Sequence, residues 1–258
     1  MSNPLYVAWR SGDASHGTWT PIGRLDRLKD GYRFLYTRGA RKTDFRPLPG
    51  MPLLDAVYES QELFPFFANR LLERSRPEYK DFLKWSAFDP DNPPDPLAVL
   101  AVTEGRRQTD SYEVFVCPIP DAQGYFNSKF FLHGIRWMPA VAIDRINGMK
   151  EGEQLCLMLE VSNPLDPDAV AVRTGEEGDR FLIGYVPRFL AKDVRELCDE
   201  CGPDLISLTV VRINTDAPLQ QRALCCMKAC WPSSFRPCSQ DEFMPIADDV
   251  LDSSCSRG

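Results

Sequence analysis

The chain has 258 residues, a formal net charge of -7 at pH 7 and an apolar fraction of 43%. This length predicts two domains, and the apolar fraction is sufficient for a hydrophobic core in each. The acidic excess argues against a non-specific duplex-binding protein, because such proteins neutralise many phosphates with Lys and Arg. It is compatible with a site that holds one or two terminal nucleotides with a few cations.

The sequence has no apolar run of about 18 residues and no charged-then-apolar N-terminus, which predicts a cytoplasmic protein without a membrane span. Its nine cysteines are odd in number and lie mostly after residue 197, so we expect free thiols and no cofactor. The alternative is a zinc site formed by Cys198, Cys201, Cys226 and Cys230, although only the first two have the C-x2-C spacing.

The first half alternates strand and helix patterns. Asp30-Gly31 is a hairpin signal. Apolar residues at three- and four-residue steps predict two helices within residues 63–87, and Asp95 is placed to cap a short third helix. Short aromatic and β-branched runs predict strands at residues 5–10, 19–25, 31–36 and 112–118.

The second half follows a segment with the proline, glycine and polar content of a linker. A helix is predicted over residues 188–201, ended by Gly202-Pro203. Apolar alternation predicts strands at residues 130–137, 154–161, 169–174, 180–186 and 205–214. The predicted organisation is α+β, with a domain over 1–118, a linker over 119–129, a domain over 130–232 and an acidic, disordered tail over 233–258.

Three motifs of the second half contain residue types that can bind a nucleic-acid end. Arg136-Trp137 offers a guanidinium to a phosphate and an indole to an unpaired base. The turn 163–166 offers an amide and a carboxylate to a sugar hydroxyl. Tyr185 and Arg188 lie at a strand-to-helix junction, where backbone amides favour anions. The structural alternatives are that Trp137 packs in the core and that the turn only reverses the chain.

In this order, the segments GIRW, SNPLDPDAVAV and IGYVPR resemble the HIRAN domain over about residues 130–231. The resemblance implies an OB-like β-barrel with a helix that binds single-stranded DNA at a 3′ end. It places the DNA-binding residues at Arg136, Trp137, Ser162, Asn163, Leu165, Asp166, Tyr185 and Arg188.

Two positions of the turn depart from the HIRAN pattern. Ser162 stands where the family has a first Asn, and Leu165 stands where it has an aromatic residue. The second change removes a stacking contact worth about 1–3 kcal/mol. We therefore expect weaker binding, or binding of another ligand.

The first half resembles the N-terminal subdomain of HipA-type kinases over about residues 5–117, on the segments FRPL, LFPFFANRLLERSRPEY and DPLAVLAVTEGRRQTD. This resemblance implies a small sheet followed by helices that docks a protein partner, either a HipA-type kinase or a DNA-processing enzyme. No kinase phosphate loop or catalytic motif follows. His16 and His133 have no neighbouring nucleophile, so we expect a non-enzymatic protein.

Three functions follow from these patterns. The favoured one is DNA-end or single-strand binding by the second half, with the first half docking a partner. The alternative is an antitoxin-like regulator that inhibits a HipA-type kinase, with an exposed aromatic such as Trp85, or a serine near the helices, as the inhibitory contact. The third is an enzyme whose chemistry depends on the cysteine cluster.

Overall fold

The computed structural model describes residues 3–11, 19–42, 44–107, 109–175, 179–202 and 205–247, so His16 and Pro203 lie outside the described residues. The chain forms two compact units. The first consists of Met1–Leu72, Asp95–Cys117 and Arg236–Gly258, and the second of Glu73–Pro94 and Pro118–Phe235. The fold is therefore α+β with two separate sheets, one in each unit.

The first unit is built on a five-stranded antiparallel sheet. Residues Lys29 and Asp30 turn the chain between its second and third strands, at the predicted hairpin. The strands are β1 (Leu5–Arg10), β2 (Trp19–Leu28), β3 (Gly31–Tyr36), β4 (Val57–Ser60) and β5 (Tyr112–Val116), in the order β4-β3-β2-β1-β5. The sheet covers a core of aromatic and aliphatic side chains that includes Phe34, Tyr36 and Phe67, each fully buried.

The described part of the first 117 residues contains three short α-helices: α1 (Pro65–Ala68), α2 (Tyr79–Trp85) and α3 (Pro96–Thr103). The predicted cap of the third is confirmed, because the Asp95 side chain accepts a hydrogen bond from the backbone N–H of Leu97 at 2.8 Å. The helix α2 belongs to the second unit, where the Trp85 carbonyl accepts a hydrogen bond from Asn214 at 3.0 Å. By their contacts, residues 73–94 therefore belong to the second unit, whereas the sequence predicts them in the first domain.

The second unit is built on a six-stranded antiparallel sheet. Its strands are β6 (Tyr125–Phe131), β7 (Gln154–Leu159), β8 (Val170–Thr174), β9 (Leu182–Tyr185), β10 (Ile206–Ile213) and β11 (Ala223–Cys230), in the order β6-β11-β10-β7-β8-β9. The sheet curls into a half-barrel, because His133, just beyond β6, pairs with Tyr185 at the far edge. Besides α2, the described residues of this unit form the α-helices α4 (Ala140–Asn147) and α5 (Arg188–Glu200).

The predicted linker is shorter in the structure than residues 119–129. Residues from Tyr125 onward form β6, in which Phe126 and Phe130 face the core while Tyr125, Asn127 and Lys129 are exposed. This alternation is that of a strand with one buried face. The predicted strand over 130–137 is wrong after Phe131, since residues 135–137 form a 3-10 helix. The strand β11 and the helix α4 were not predicted.

Residues 233–247 of the predicted tail are described, and some of their apolar side chains are buried. Phe235 is fully buried in the second unit, with its ring centroid 4.9 Å from that of Trp231. In the first unit, Met244 accepts a hydrogen bond from the Arg38 backbone at 2.9 Å, and Ile246 is buried. These apolar side chains provide the burial that an acidic composition obscured. Residues 248–258 lie outside the described part of the chain.

The expectation of free thiols is wrong for two cysteines. Cys201, just after α5, and Cys230, at the end of β11, form a disulfide with Cα atoms 6.3 Å apart. This bond consumes two of the four ligands of the alternative zinc site, and the described residues contain no group of three or more His, Cys, Asp or Glu placed for a metal. None of the described helices is long and apolar enough to span a bilayer.

Candidate nucleic-acid site

The turn after β6 presents Arg136 and Trp137 to solvent. Gly134 adopts a left-handed conformation with φ of 74°, and a β-carbon there would lie 3.1 Å from the Tyr185 ring. The following 3-10 helix buries Ile135 and leaves Trp137 74% exposed. Packing of Trp137 in the core is therefore excluded.

The Arg136 guanidinium lies over the Trp137 indole, with its carbon 4.6 Å from the ring centroid. A planar cation stacked on an exposed indole is suited to a phosphate on one side and a base on the other.

The turn 163–166 is held by its own polar side chains. The Asn163 carbonyl oxygen accepts hydrogen bonds from the backbone N–H groups of Leu165 at 2.9 Å and Asp166 at 3.2 Å. One oxygen of Asp166 likewise accepts from the N–H of Asp168 at 3.1 Å. These bonds are the Asx turns expected of such a sequence. Ser162 is exposed, and Leu165 is 56% exposed at the tip.

Glu160 joins this turn to the strand β9. One of its carboxylate oxygens accepts a hydrogen bond from the Asn163 amide at 2.7 Å, and the other accepts from the Tyr185 hydroxyl at 3.1 Å. Burial raises the pKa of Tyr185, and the hydrogen bond to the Glu160 carboxylate raises it further. Tyr185 is therefore held as a neutral hydroxyl, oriented by a charged partner.

Arg188, the first residue of α5, closes the other side of the turn. Its Nε donates to Asp166 at 2.9 Å, and a terminal nitrogen donates to the Leu165 carbonyl at 3.0 Å. The Arg188 side chain is 34% exposed and the Asp166 side chain 14% exposed. The guanidinium therefore keeps donors that face solvent while its charge is partly balanced.

Arg195, two turns further along α5, holds the base of the loop. One of its terminal nitrogens donates to the carbonyls of Glu160 and Ala169, each at 3.2 Å. The Glu160 N–H also donates to the Ala169 carbonyl at 3.1 Å, where β7 and β8 separate. The loop is thus fixed at both ends before any ligand binds, which lowers the entropic cost of binding.

Hydrogen bonds join the turn 163–166 to Tyr185 and Arg188, and the segment that carries Arg136 and Trp137 adjoins them through the pairing of His133 with Tyr185. The polar groups of these predicted site residues are used differently than predicted. The side chains of Asn163 and Asp166 chiefly stabilise the turn. Each retains unused capacity, since an amide nitrogen has two hydrogens and each carboxylate oxygen has two lone pairs. The free donors of the surface are mainly the guanidinium groups of Arg136 and Arg188.

Three residues of this surface were missed from the sequence: Gly134, Glu160 and Arg195. Glu160 lies two residues before the Ser-Asn-Pro motif and directly after β7. Because the last residues of this strand are exposed, a charged residue after them did not stand out as part of a site. The spacing of Arg188 and Arg195 by seven residues, two helical turns, was a signal that both lie on one face of α5.

Comparison with known proteins identifies this region. Residues 125–227 match the family model of the HIRAN domain, which confirms the resemblance seen in the second-half motifs. A solved structure, the crystal structure of the HIRAN domain of human HLTF, is 16% identical and aligns over 42% of this chain and 80% of that one, with a TM-score of 0.31. So low a TM-score supports no conclusion about the fold. We found no relative among curated proteins.

Proposed function

We propose that this protein binds single-stranded DNA at a 3′ end through residues 125–227, without catalysing a reaction. The observation that supports this most directly is the network that joins Asn163, Asp166, Tyr185 and Arg188 beside the exposed Arg136-Trp137 pair. A family match to the HIRAN domain over the same residues supports it further.

The arrangement of charge favours a chain end over the middle of a strand. Arg136 and Arg188 can each contact one phosphate, and Trp137 can stack on one base. The carboxylate of Asp166 is paired with Arg188 and that of Glu160 with the Tyr185 hydroxyl, and both would repel a further phosphate. A terminal hydroxyl can instead donate to the spare lone pairs of Asp166 and accept from the amide of Asn163.

The test compares a single-stranded oligonucleotide with a free 3′ hydroxyl, the same strand with a 3′ phosphate, and a circular strand, by fluorescence anisotropy at fixed salt. We expect the strand with the free 3′ hydroxyl to bind about fivefold to tenfold more tightly than either the 3′-phosphate strand or the circular strand. The difference corresponds to one hydrogen bond gained and one repulsion avoided. Equal affinity for all three would remove the end preference. No binding of any of them would remove the function.

We further propose that the first unit docks a protein partner, such as a HipA-type kinase or a DNA-processing enzyme. The resemblance of residues 5–117 motivates this, and the strand β4 at the sheet edge, with Val57 51% exposed, offers a surface for it. The test is copurification of the full chain with a HipA-type kinase, with Val57→Lys as the variant expected to release it. Copurification that Val57→Lys leaves unchanged would dismiss this surface.

For the antitoxin-like alternative, Trp85 is not suited to be the inhibitory contact, which leaves a serine near the helices as the candidate. Trp85 is half-buried, and its indole N–H donates to Asp216 at 3.2 Å in the second unit. An aromatic fixed in this way is a poor plug for the active site of another protein.

A further inference from the structure

We propose that the outer face of strands β6, β11 and β10 is a second contact surface for the same single-stranded DNA. We call it the sheet-face platform and define it by Tyr125, Asn127, Lys129, Thr209 and Lys228. The proposal rests on the proposed function and extends it from a terminal site to a longer strand.

The register of the strands brings these side chains to one face. Lys129 pairs with Cys226 and Asn127 with Lys228, so the two lysines are diagonal neighbours across β6 and β11. Diagonal neighbours in an antiparallel pair lie about 7–8 Å apart. Thr209 follows on β10, where it pairs with Cys226 and donates to its carbonyl at 3.5 Å.

Both lysines lie close enough to the Cys226 thiol to lower its pKa. Burial raises the pKa of Cys226, and the positive charges of Lys129 and Lys228 lower it. The two ammonium groups therefore flank one point of the sheet. They form a compact positive patch on a protein with a net charge of -7.

Acidic side chains are missing from the outward positions of this face. By register, this face carries Tyr125, Asn127, Lys129 and Phe131 of β6, Leu224, Cys226, Lys228 and Cys230 of β11, and Ser207, Thr209 and Arg212 of β10. At one end of the face, Arg212 lies 4.0 Å from the carboxylate of Glu151, which comes from outside the three strands. The pKa of Asp121 is lowered by hydrogen bonds from backbone N–H groups, that of Tyr125 first, and by the charge of Lys228. The Asp121 carboxylate accepts from the Tyr125 N–H at 2.9 Å and is thereby tied to the turn before β6.

An exposed aromatic completes the chemistry of the platform. Tyr125 is 42% exposed, and the Lys228 ammonium lies 4.6 Å from its ring centroid. Cations beside an aromatic face are the combination by which proteins hold single strands without reading their sequence. Asn127, also exposed, adds an amide that can bond to a base edge.

The strand β6 connects the platform to the terminal site. It ends at Phe131, and Arg136 follows five residues later in the same unit. A seven-residue strand spans roughly 20–23 Å. A DNA strand of several nucleotides can therefore have its end at the terminal site and its preceding phosphates near the lysines.

The experiment uses the full chain and two 5′-labelled oligothymidylates with free 3′ hydroxyls, about 4 and about 16 nucleotides long. In the Lys129→Ala/Lys228→Ala variant we expect the longer strand to bind about tenfold more weakly. Its plot of log affinity against log salt should become shallower by about 1.4, because two phosphate contacts are lost. The shorter strand should bind within about twofold of the unmodified protein.

Tyr125→Ala should also weaken binding of the longer strand alone, by about tenfold, but leave the salt slope unchanged. The matched control is Lys80→Ala/Lys84→Ala, which removes the same charge from exposed positions of α2 and should leave both affinities unchanged. Thermal unfolding of each variant verifies that the fold is retained.

The outcomes separate the two proposals. An unchanged affinity and salt slope for the longer strand in the double-lysine variant would overturn the platform and leave the terminal site standing. In another outcome, the unmodified protein does not bind the shorter strand, and the double-lysine variant loses affinity for the longer strand. This result would overturn the terminal site and support the platform. Equal competition by polyglutamate of matched charge would assign the surface to an acidic protein and overturn the DNA platform.

Discussion

Two arginine–aspartate pairs, Arg70–Asp110 in the first unit and Arg188–Asp166 in the second, differ mainly in burial. In the first unit, Arg70 is 1% exposed in its side chain, donates to Asp110 at 2.7 Å and to the Gly105 carbonyl at 2.9 Å, and lies 4.2 Å from the Phe66 ring centroid. In the second unit, the Arg188 side chain is 34% exposed beside Asp166.

The same chemistry therefore has two consequences. Burial lowers the pKa of Arg70, and the hydrogen bond from its guanidinium to Asp110 opposes this shift. Removing one partner of such a pair leaves a buried charge uncompensated. The Arg188 pair is partly solvated, so a phosphate can replace the aspartate at little cost. The buried pair therefore stabilises the fold, whereas the arginine of the partly exposed pair can leave its aspartate and bind a ligand.

The largest expected effect is that of Arg70→Ala. It should lower the free energy of unfolding of the first unit by about 3–5 kcal/mol, because Asp110 loses its partner and Gly105 loses a donor to its carbonyl. Urea unfolding followed by near-ultraviolet circular dichroism measures it. A loss below about 1 kcal/mol, the range of a surface pair, would show that the Arg70–Asp110 pair does not stabilise the fold more than an exposed pair does.

Asp193→Asn tests a half-buried carboxylate whose ionisation the fold disfavours. Burial and, to a smaller extent, the charge of Glu196 raise the pKa of Asp193 to about 7, against the opposing charge of Lys192. The folded state thus holds this proton more tightly than the unfolded state, so stability falls as the pH rises from about 4 to about 7. The Asn variant removes this penalty.

We expect Asp193→Asn to be more stable than the unmodified protein by about 1–3 kcal/mol at pH 8, and equally stable near pH 4. The full shift is not recovered because the side chain is partly exposed. Urea unfolding at the two pH values measures the difference. A pH-independent gain would attribute the effect to packing and not to ionisation.

Arg188→Ala should change binding without changing stability. The free energy of unfolding should fall by less than about 1 kcal/mol, as for a partly exposed pair. Affinity for a short 3′-hydroxyl strand should fall about tenfold, because a charge-assisted phosphate contact is lost. Arg188→Lys, which keeps the charge but not the two-pronged geometry, should give an intermediate affinity. A large loss of stability would place Arg188 in the same class as Arg70.

The sequence predicted the features of the site that depend on residues close together in the chain. Residues 163–166 form their turn from local side chains, and Arg188 begins α5 as expected. Contacts between distant residues were not predictable from the pattern. Glu160 meets Tyr185 from 25 residues away, and the disulfide joins residues 29 apart.

Two segments contact a unit that their sequence did not indicate, and the reason is the same for both. Residues 73–94 and 236–247 are rich in proline or acidic residues, and each is ordered by a few apolar or amide contacts with one unit. Asn214 holds Trp85 in the second unit, and Phe243 packs on Tyr6 in the first, with ring centroids 5.1 Å apart. Composition reports the average of a segment, whereas docking depends on one or two of its residues.

The smallest expected effect is that of Glu160→Gln, which retains the shape of the side chain and removes its charge. The new amide can accept a hydrogen bond from the Asn163 amide through its oxygen and donate one to the Tyr185 hydroxyl through its nitrogen. Both contacts are then made without a charged partner, which weakens them, and affinity for a short 3′-hydroxyl strand should fall about threefold.

A role for Glu160 in orienting Tyr185 can be separated from a general loss of structure by the phenol itself. Removing the carboxylate removes the contributions of Glu160 to the raised pKa of Tyr185, while the contribution of burial remains. The Tyr185 pKa, followed by NMR with ring-labelled tyrosine, should therefore fall. Glu160→Asp, which keeps the charge but shortens the reach, should preserve part of the shift. An unchanged Tyr185 pKa in Glu160→Gln would show that the carboxylate does not orient this hydroxyl in solution.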